Sequence, residues 1–141
     1  MTKNVLFLGT GNSARSIIAE SLLNHWGKGA FIGYSAGSFP ETGVHPLALA
    51  ALNHRLLPTA GLRSKSWDEF ARADAPVMDY IFTVSDSAAA ATDPVWPGHP
   101  VTAHWGVADP VAVVGTQNAR TSAFRDTARV LEGRIRAFLK A

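Results

Sequence analysis

The feature that most constrains this chain is a change of period near its start. Val5-Leu6-Phe7-Leu8 is a continuous apolar run, the pattern of a strand buried on both faces. Gly9-Thr10-Gly11-Asn12 interrupts it, and from Ser13 the apolar spacing becomes helical, with Ala14, Ile17, Ile18, Leu22 and Trp26 on one face. Gly27 and Gly29 then stop the helix. Strand, glycine-rich turn and helix in immediate succession demand a parallel partner strand and a sheet to receive the helix.

The rest of the chain supplies both. Phe31-Ile32-Gly33-Tyr34-Ser35-Ala36 reads as a second strand, followed by a loop at Gly37-Ser38-Phe39-Pro40. Pro46 suits the first turn of a helix carrying Leu47, Leu49, Ala50 and Leu52. Ser66-Trp67-Asp68-Glu69 has the form of a capping box, so another short helix is expected there. Tyr80-Ile81-Phe82-Thr83-Val84 is a strand by composition, and a long loop follows through Asp93-Pro94-Val95-Trp96-Pro97-Gly98. Val101 to Trp105 gives a fourth strand, and Phe124, Ala128, Leu131, Ile135 and Phe138 mark a long final helix. Alternation of strands and helices predicts an α/β fold: one domain over residues 1–141, with a four-stranded parallel sheet, helices on both faces and a flavodoxin-like architecture.

Composition narrows the function. Apolar residues at 47% and charged residues at 17% fit a compact globule. Thirteen basic against eleven acidic residues leave a net charge of +2 with no basic stripe, which argues against nucleic acid. No apolar run reaches the roughly 20 residues that span a bilayer, and no export segment is evident, so no membrane role and a cytoplasmic location are expected. There is no cysteine, which excludes disulfides, thiolate catalysis and thiolate-held metals. His25, His45, His54, His99 and His104 lack close metal-ligand spacing, and no metal is expected.

A turn of this kind can bind an anion. Its N–H groups converge, the helix start adds partial positive charge, and Arg15 offers a planar fork to a tetrahedral oxyanion. The simpler alternative is a tight βα turn with Arg15 on the surface. Gly9 to Ala14 also satisfies G-x-G-x-x-A, but no acidic residue ends the second strand as dinucleotide binding requires. The Gly-Lys-Ser/Thr of a nucleotide phosphate loop is absent too, so no cofactor is expected. Trp96 and Trp105 are candidates either for the pocket mouth or for loop packing, and His104 for bracing a loop.

Residues 5–16 resemble the phosphate loop of low-molecular-weight protein tyrosine phosphatases and thioredoxin-coupled arsenate reductases, Cys-x5-Arg-Ser/Thr. The likeness continues in Tyr34-Ser35-Ala36-Gly37, Leu62-Arg63-Ser64-Lys65-Ser66-Trp67 and Phe82-Thr83-Val84-Ser85-Asp86. Pro94-Val95-Trp96-Pro97-Gly98 and His104-Trp105-Gly106-Val107-Ala108-Asp109-Pro110 favour the arsenate reductase branch. The resemblance implies an anion cradle of Gly9, Thr10, Gly11, Asn12, Ser13, Ala14, Arg15 and Ser16 for phosphate, arsenate or sulfate. It gives Arg15 the role of binding the oxyanion, Asn12 of bracing the loop, Ser16 of bonding the attacking sulfur and Asp109 of general acid.

It also puts Gly9 at the place of the nucleophilic cysteine, and Ser85 and Asp93 at those of the two relay cysteines. Glycine cannot attack, and thiol–disulfide exchange is chemically impossible without sulfur. Three readings follow: a catalytically silent oxyanion-binding relative, with or without a protein partner; a divergent or redesigned enzyme with residual phosphate-ester hydrolysis; and an interaction domain with an empty loop.

Overall fold

The computed structural model describes residues 1–90 and 94–141. Four parallel strands form one sheet: β1 (Lys3–Gly9), β2 (Phe31–Gly37), β3 (Tyr80–Thr83) and β4 (Val101–His104), in the order β2-β1-β3-β4. The helices are α1 (Arg15–Trp26), α2 (Pro46–His54), α3 (Asp86–Ala90) and α4 (Gln117–Lys140). Strand order reverses beside β1, with β2 on one side and β3 on the other. The turn after β1 therefore opens at the point where ligands bind in open α/β sheets.

Alternation along β1 divides the core in two. Val5 and Phe7 join α1, α2 and α4 in one apolar cluster, with Ile17, Ile18, Leu22, Leu52, Phe124, Leu131 and Ile135 fully buried. Leu6 and Leu8 face a smaller cluster with Ala36, Trp67, Phe70, Met78 and Ile81. That second face is covered by a 3-10 turn (Trp67–Phe70) and the five-residue α3 rather than by long helices. The Ser66 hydroxyl accepts from Asp68 N, while Glu69 is held by Arg63, so the expected capping box closes on one side only. A bonded 3-10 turn results.

Several side chains settle differently from expectation. Trp26 is 40% exposed, because α1 rolls its last turn outward and the indole packs under the Arg136 guanidinium at 4.4 Å. On α2 the buried residues are Ala48, Ala51 and Leu52, and Ala50 points outward. The long loop after β3 begins with α3, whose first turn is capped by Ser85 Oγ accepting from Ala88 N. β4 is short and exposed along its length, as an edge strand tolerates.

Phe124 is fully buried, and its ring lies 4.7 Å from that of His45, joining α4 to the start of α2. Phe124→Ala is expected to cost about 3–5 kcal/mol in a denaturant unfolding experiment.

Candidate functional site

The segment between β1 and α1 has its polar groups sorted by direction. Its carbonyls are all taken up by neighbours on the outside. Ser38 N donates to Gly9 O, Phe39 N to Thr10 O, Glu41 N to Gly11 O and His45 N to Ser13 O, at 2.8–3.1 Å. Ser64 Oγ donates to Asn12 O at 2.7 Å, and Ile18 N to Ala14 O at 2.9 Å. Among the described residues, no acceptor receives a backbone N–H from Thr10 to Ile17. Helix α1 starts without a side-chain cap at Ala14, so its first N–H groups belong to the same set without acceptors.

Asn12 sets this geometry. Its φ of +52° places it in the left-handed region, a conformation that brings successive backbone N–H groups to one side. Its side chain is clamped: Nδ2 donates to Ser16 Oγ at 2.7 Å, and Oδ1 accepts from Lys65 N at 2.9 Å. The turn also needs a bare residue at Gly37, where a Cβ would collide with Thr10 O and stand 3.1 Å from Asn12 Cβ.

Arg15 closes one wall. Its side chain is 17% exposed, its Nη1 donates to Val107 O at 2.9 Å, and its Nη2 lies 3.7 Å from Asp109 Oδ2. Asp109 Oδ1 accepts from Val111 N at 3.0 Å, capping the turn after Pro110. The loop, Arg15, Asp109, Glu41 and Val111 line a cavity of about 200 Å³. Gly9 to Ser16 and Asp109 thus lie around one space. Ser85 is buried outside the cavity lining, with its hydroxyl 3.0 Å from Thr10 Oγ1. Asp93 lies outside the described residues.

Trp96 and Trp105 do not line this cavity. Trp105 stacks on Phe82 at 4.2 Å, and Trp96 meets Trp67 edge-on at 6.1 Å, so both serve packing. His104 bridges Thr83 Oγ1 (2.7 Å) and Asp86 Oδ1 (3.0 Å), bracing the end of β3 to α3. Among the described residues no three His, Asp or Glu side chains cluster as metal ligands, and no helix is long and apolar enough to cross a membrane.

A second layer escaped the sequence reading. Lys65 Nζ donates to Ser35 O (2.9 Å) and Asn12 Oδ1 (3.3 Å) and lies 3.9 Å from Glu20 Oε1. Ser35 Oγ donates to Glu20 Oε1. Burial pushes the Glu20 carboxyl up and the Lys65 ammonium down, against the pull of their mutual attraction. The partners that hold Asn12 lie 52 and 53 positions along the chain, so no local pattern announces them.

A parallel sheet with an amide-lined turn at its switch point and an arginine on the wall defines an α/β protein built around a βα loop. The sequence matches the low molecular weight phosphotyrosine protein phosphatase family over residues 4–141, and the chain belongs to that family. It is 31% identical to an arsenate reductase of Shouchella clausii over 98% of this chain and 96% of that one. It is 33% identical to an arsenate reductase of Halalkalibacterium halodurans, again over 98% and 96%. The fold is similar to a solved arsenate reductase in the phosphate binding state (TM-score 0.80, 23% identity, 99% and 98% covered). It is equally similar to a low molecular weight protein tyrosine phosphatase from T. tengcongensis (TM-score 0.79, 23% identity, 99% of both chains).

His45 ties the loop to α2, because its backbone N–H holds Ser13 O while its ring Nδ1 accepts from Leu47 N at 3.1 Å. Burial, then the Arg120 cation, holds this imidazole below its ordinary range, with Asp109 opposing. The neutral ring is favoured in the fold, so its contribution to stability is complete above the ordinary histidine range near 6.5 and is lost as pH falls through the depressed value. Stability measured by denaturant is expected to fall across that acidic window. His45→Asn, which keeps a capping side chain, should flatten this part of the profile.

Proposed function

We propose that this chain is a catalytically silent oxyanion-binding member of its family, taking phosphate or arsenate in the Gly9–Ser16 loop with Arg15 as the charged clamp. The observation that carries the reading is the run of N–H groups from Thr10 to Ile17, which among the described residues have no acceptor while every carbonyl from Gly9 to Ala14 is bonded. Buried N–H groups require acceptors, and a tetrahedral oxyanion presents four to such a nest. Arg15 is fixed by Val107 with the rest of its fork towards the cavity, which supports a clamp rather than a surface arginine.

Silence follows from chemistry. Gly9 has no side chain and the chain has no sulfur. Thr10 hydrogen-bonds Ser85, and Ser16 is bonded by Asn12. Among the described residues, no histidine or carboxylate hydrogen-bonds the hydroxyl of Thr10, Ser13 or Ser16 to make it a nucleophile. Asp109 would be a proton donor without an attack to assist, and its proximity to Arg15 suits holding that side chain in place.

Phosphate or arsenate is expected to raise the thermal midpoint, by about 2.7 kcal/mol of added stability at 100-fold excess over the dissociation constant. Arg15→Ala should remove most of the gain. An unshifted midpoint at tens of millimolar of either anion, on the order that weak sites require, would sink the reading.

Replacing the nucleophile is the complementary test. The nearest atoms to a Cβ at Gly9 would be Ser16 Oγ at 3.2 Å, Ser16 Cβ at 3.6 Å and Val84 Cγ2 at 3.8 Å, so a Cβ fits once the Ser16 hydroxyl gives by a few tenths of an ångström. Gly9→Cys is expected to form a low-pKa thiolate at the helix start and to hydrolyse an aryl phosphate. Asp109→Asn or Arg15→Ala in that background should abolish turnover. Thioredoxin-dependent arsenate reduction should stay absent, since Ser85 and Asp93 cannot form a disulfide. A folded, phosphate-binding Gly9→Cys protein without hydrolysis would show that the roles given to Arg15 and Asp109 are wrong.

A further inference from the structure

The cavity wall contains two carboxylates, an unusual lining for an anion site. Asp109 is accounted for: one oxygen caps Val111 N and the other faces Arg15. Glu41 is not. Its backbone N–H donates to Gly11 O at 2.8 Å, which pins the residue over the turn. Its side chain lies across Gly11, with Cγ 2.8 Å and Oε1 3.5 Å from where a Cβ of that glycine would stand. Among the described residues, no donor or cation engages its carboxylate.

An ionised carboxylate is an acceptor only. Beside an anion it repels every oxygen that brings no proton, and it rewards one that does with a charge-assisted hydrogen bond. Arg15 is matched in charge by Asp109, so no second cation is present on the cavity wall to mask Glu41.

We infer that Glu41 makes the loop selective for oxyanions that carry a proton, namely inorganic phosphate and arsenate, and against sulfate, which is fully deprotonated at neutral pH. The inference rests on the oxyanion-binding reading above and narrows its ligand. The bound anion gives its O–H to Glu41 and its remaining oxygens to the N–H groups and Arg15. Sulfate fills the same volume but leaves the carboxylate facing a bare oxygen. Sites built around a ligand hydroxyl discriminate strongly against analogues that lack it, because the site's own polar group is then left opposed or unmatched.

Calorimetric titration of the full chain at pH 7.5 and fixed ionic strength, with phosphate, arsenate and sulfate in turn, tests this. Phosphate and arsenate are expected to bind at least about tenfold more tightly than sulfate. Glu41→Gln keeps the backbone contact to Gly11 and replaces the carboxylate by an amide that both accepts and donates. It should strengthen sulfate by about tenfold and change phosphate by less than about threefold, bringing the two together. Equal binding of sulfate and phosphate by the unsubstituted protein would overturn the inference and leave the oxyanion reading standing. Selectivity that survives in Glu41→Gln would remove Glu41 as its source. Failure of all three anions to bind the unsubstituted protein would overturn both. Glu41 is exposed, and an unchanged thermal midpoint without anion would verify that the variant is folded.

Discussion

The left-handed turn at Asn12 is the contact on which the site depends. A residue with a Cβ resists this conformation by about 1–2 kcal/mol, and asparagine resists it less than most because its short amide can bond locally. Here the amide does so in both directions, to Ser16 within the helix and to Lys65 across the fold, in a position only 2% exposed. Each buried hydrogen bond of this kind contributes about 1 kcal/mol, enough together to offset the backbone cost. With the turn fixed, the chain direction through Ser13 and Ala14 and the orientation of the N–H groups follow without further expense.

Lys65 reaches the loop because residues just before the 3-10 turn run beside the end of β2, with Gly37 N donating to Lys65 O at 2.9 Å. That extra pairing carries an ammonium group under the turn, where its side chain is 9% exposed. Burying a lone cation there would be costly, and Glu20 from α1 with the Ser35 carbonyl from β2 shares the burden. A strand, a helix and the loop are thus joined through one charged pair. The cradle is positioned by regular elements, which fix a donor set more closely than a free loop does.

Much of this was legible in the sequence because the strongest signals are local. The apolar run of β1, the β-rich run at Tyr80 and the heptad-like apolar spacing of α4 each lie within one element; β3 ends one residue short of the expected run, while β1 begins two residues before Val5 and α1 two residues after Ser13. Trp26 misled because an apolar face continued to the end of a helix whose last turn leaves the core. α3 carried its own signal, a serine followed by aspartate and alanines, obscured by the prolines and glycine that follow. Glu41, Ser64 and Lys65 were illegible for a different reason. They act on the loop through contacts between distant segments, and an exposed glutamate in a turn looks like any other until the backbone bond to Gly11 brings it over the cavity.

Ser16 shows that the turn is held without a side chain at position 9. Asn12 Nδ2 donates to Ser16 Oγ, so the serine's own proton is directed elsewhere, and its oxygen lies 3.2 Å from where a Cβ at position 9 would project. Ser16 lines the cavity beside the backbone N–H groups of the loop. Because the turn is held from Asn12, Ser64 and Lys65 rather than from residue 9, its geometry does not depend on what stands there.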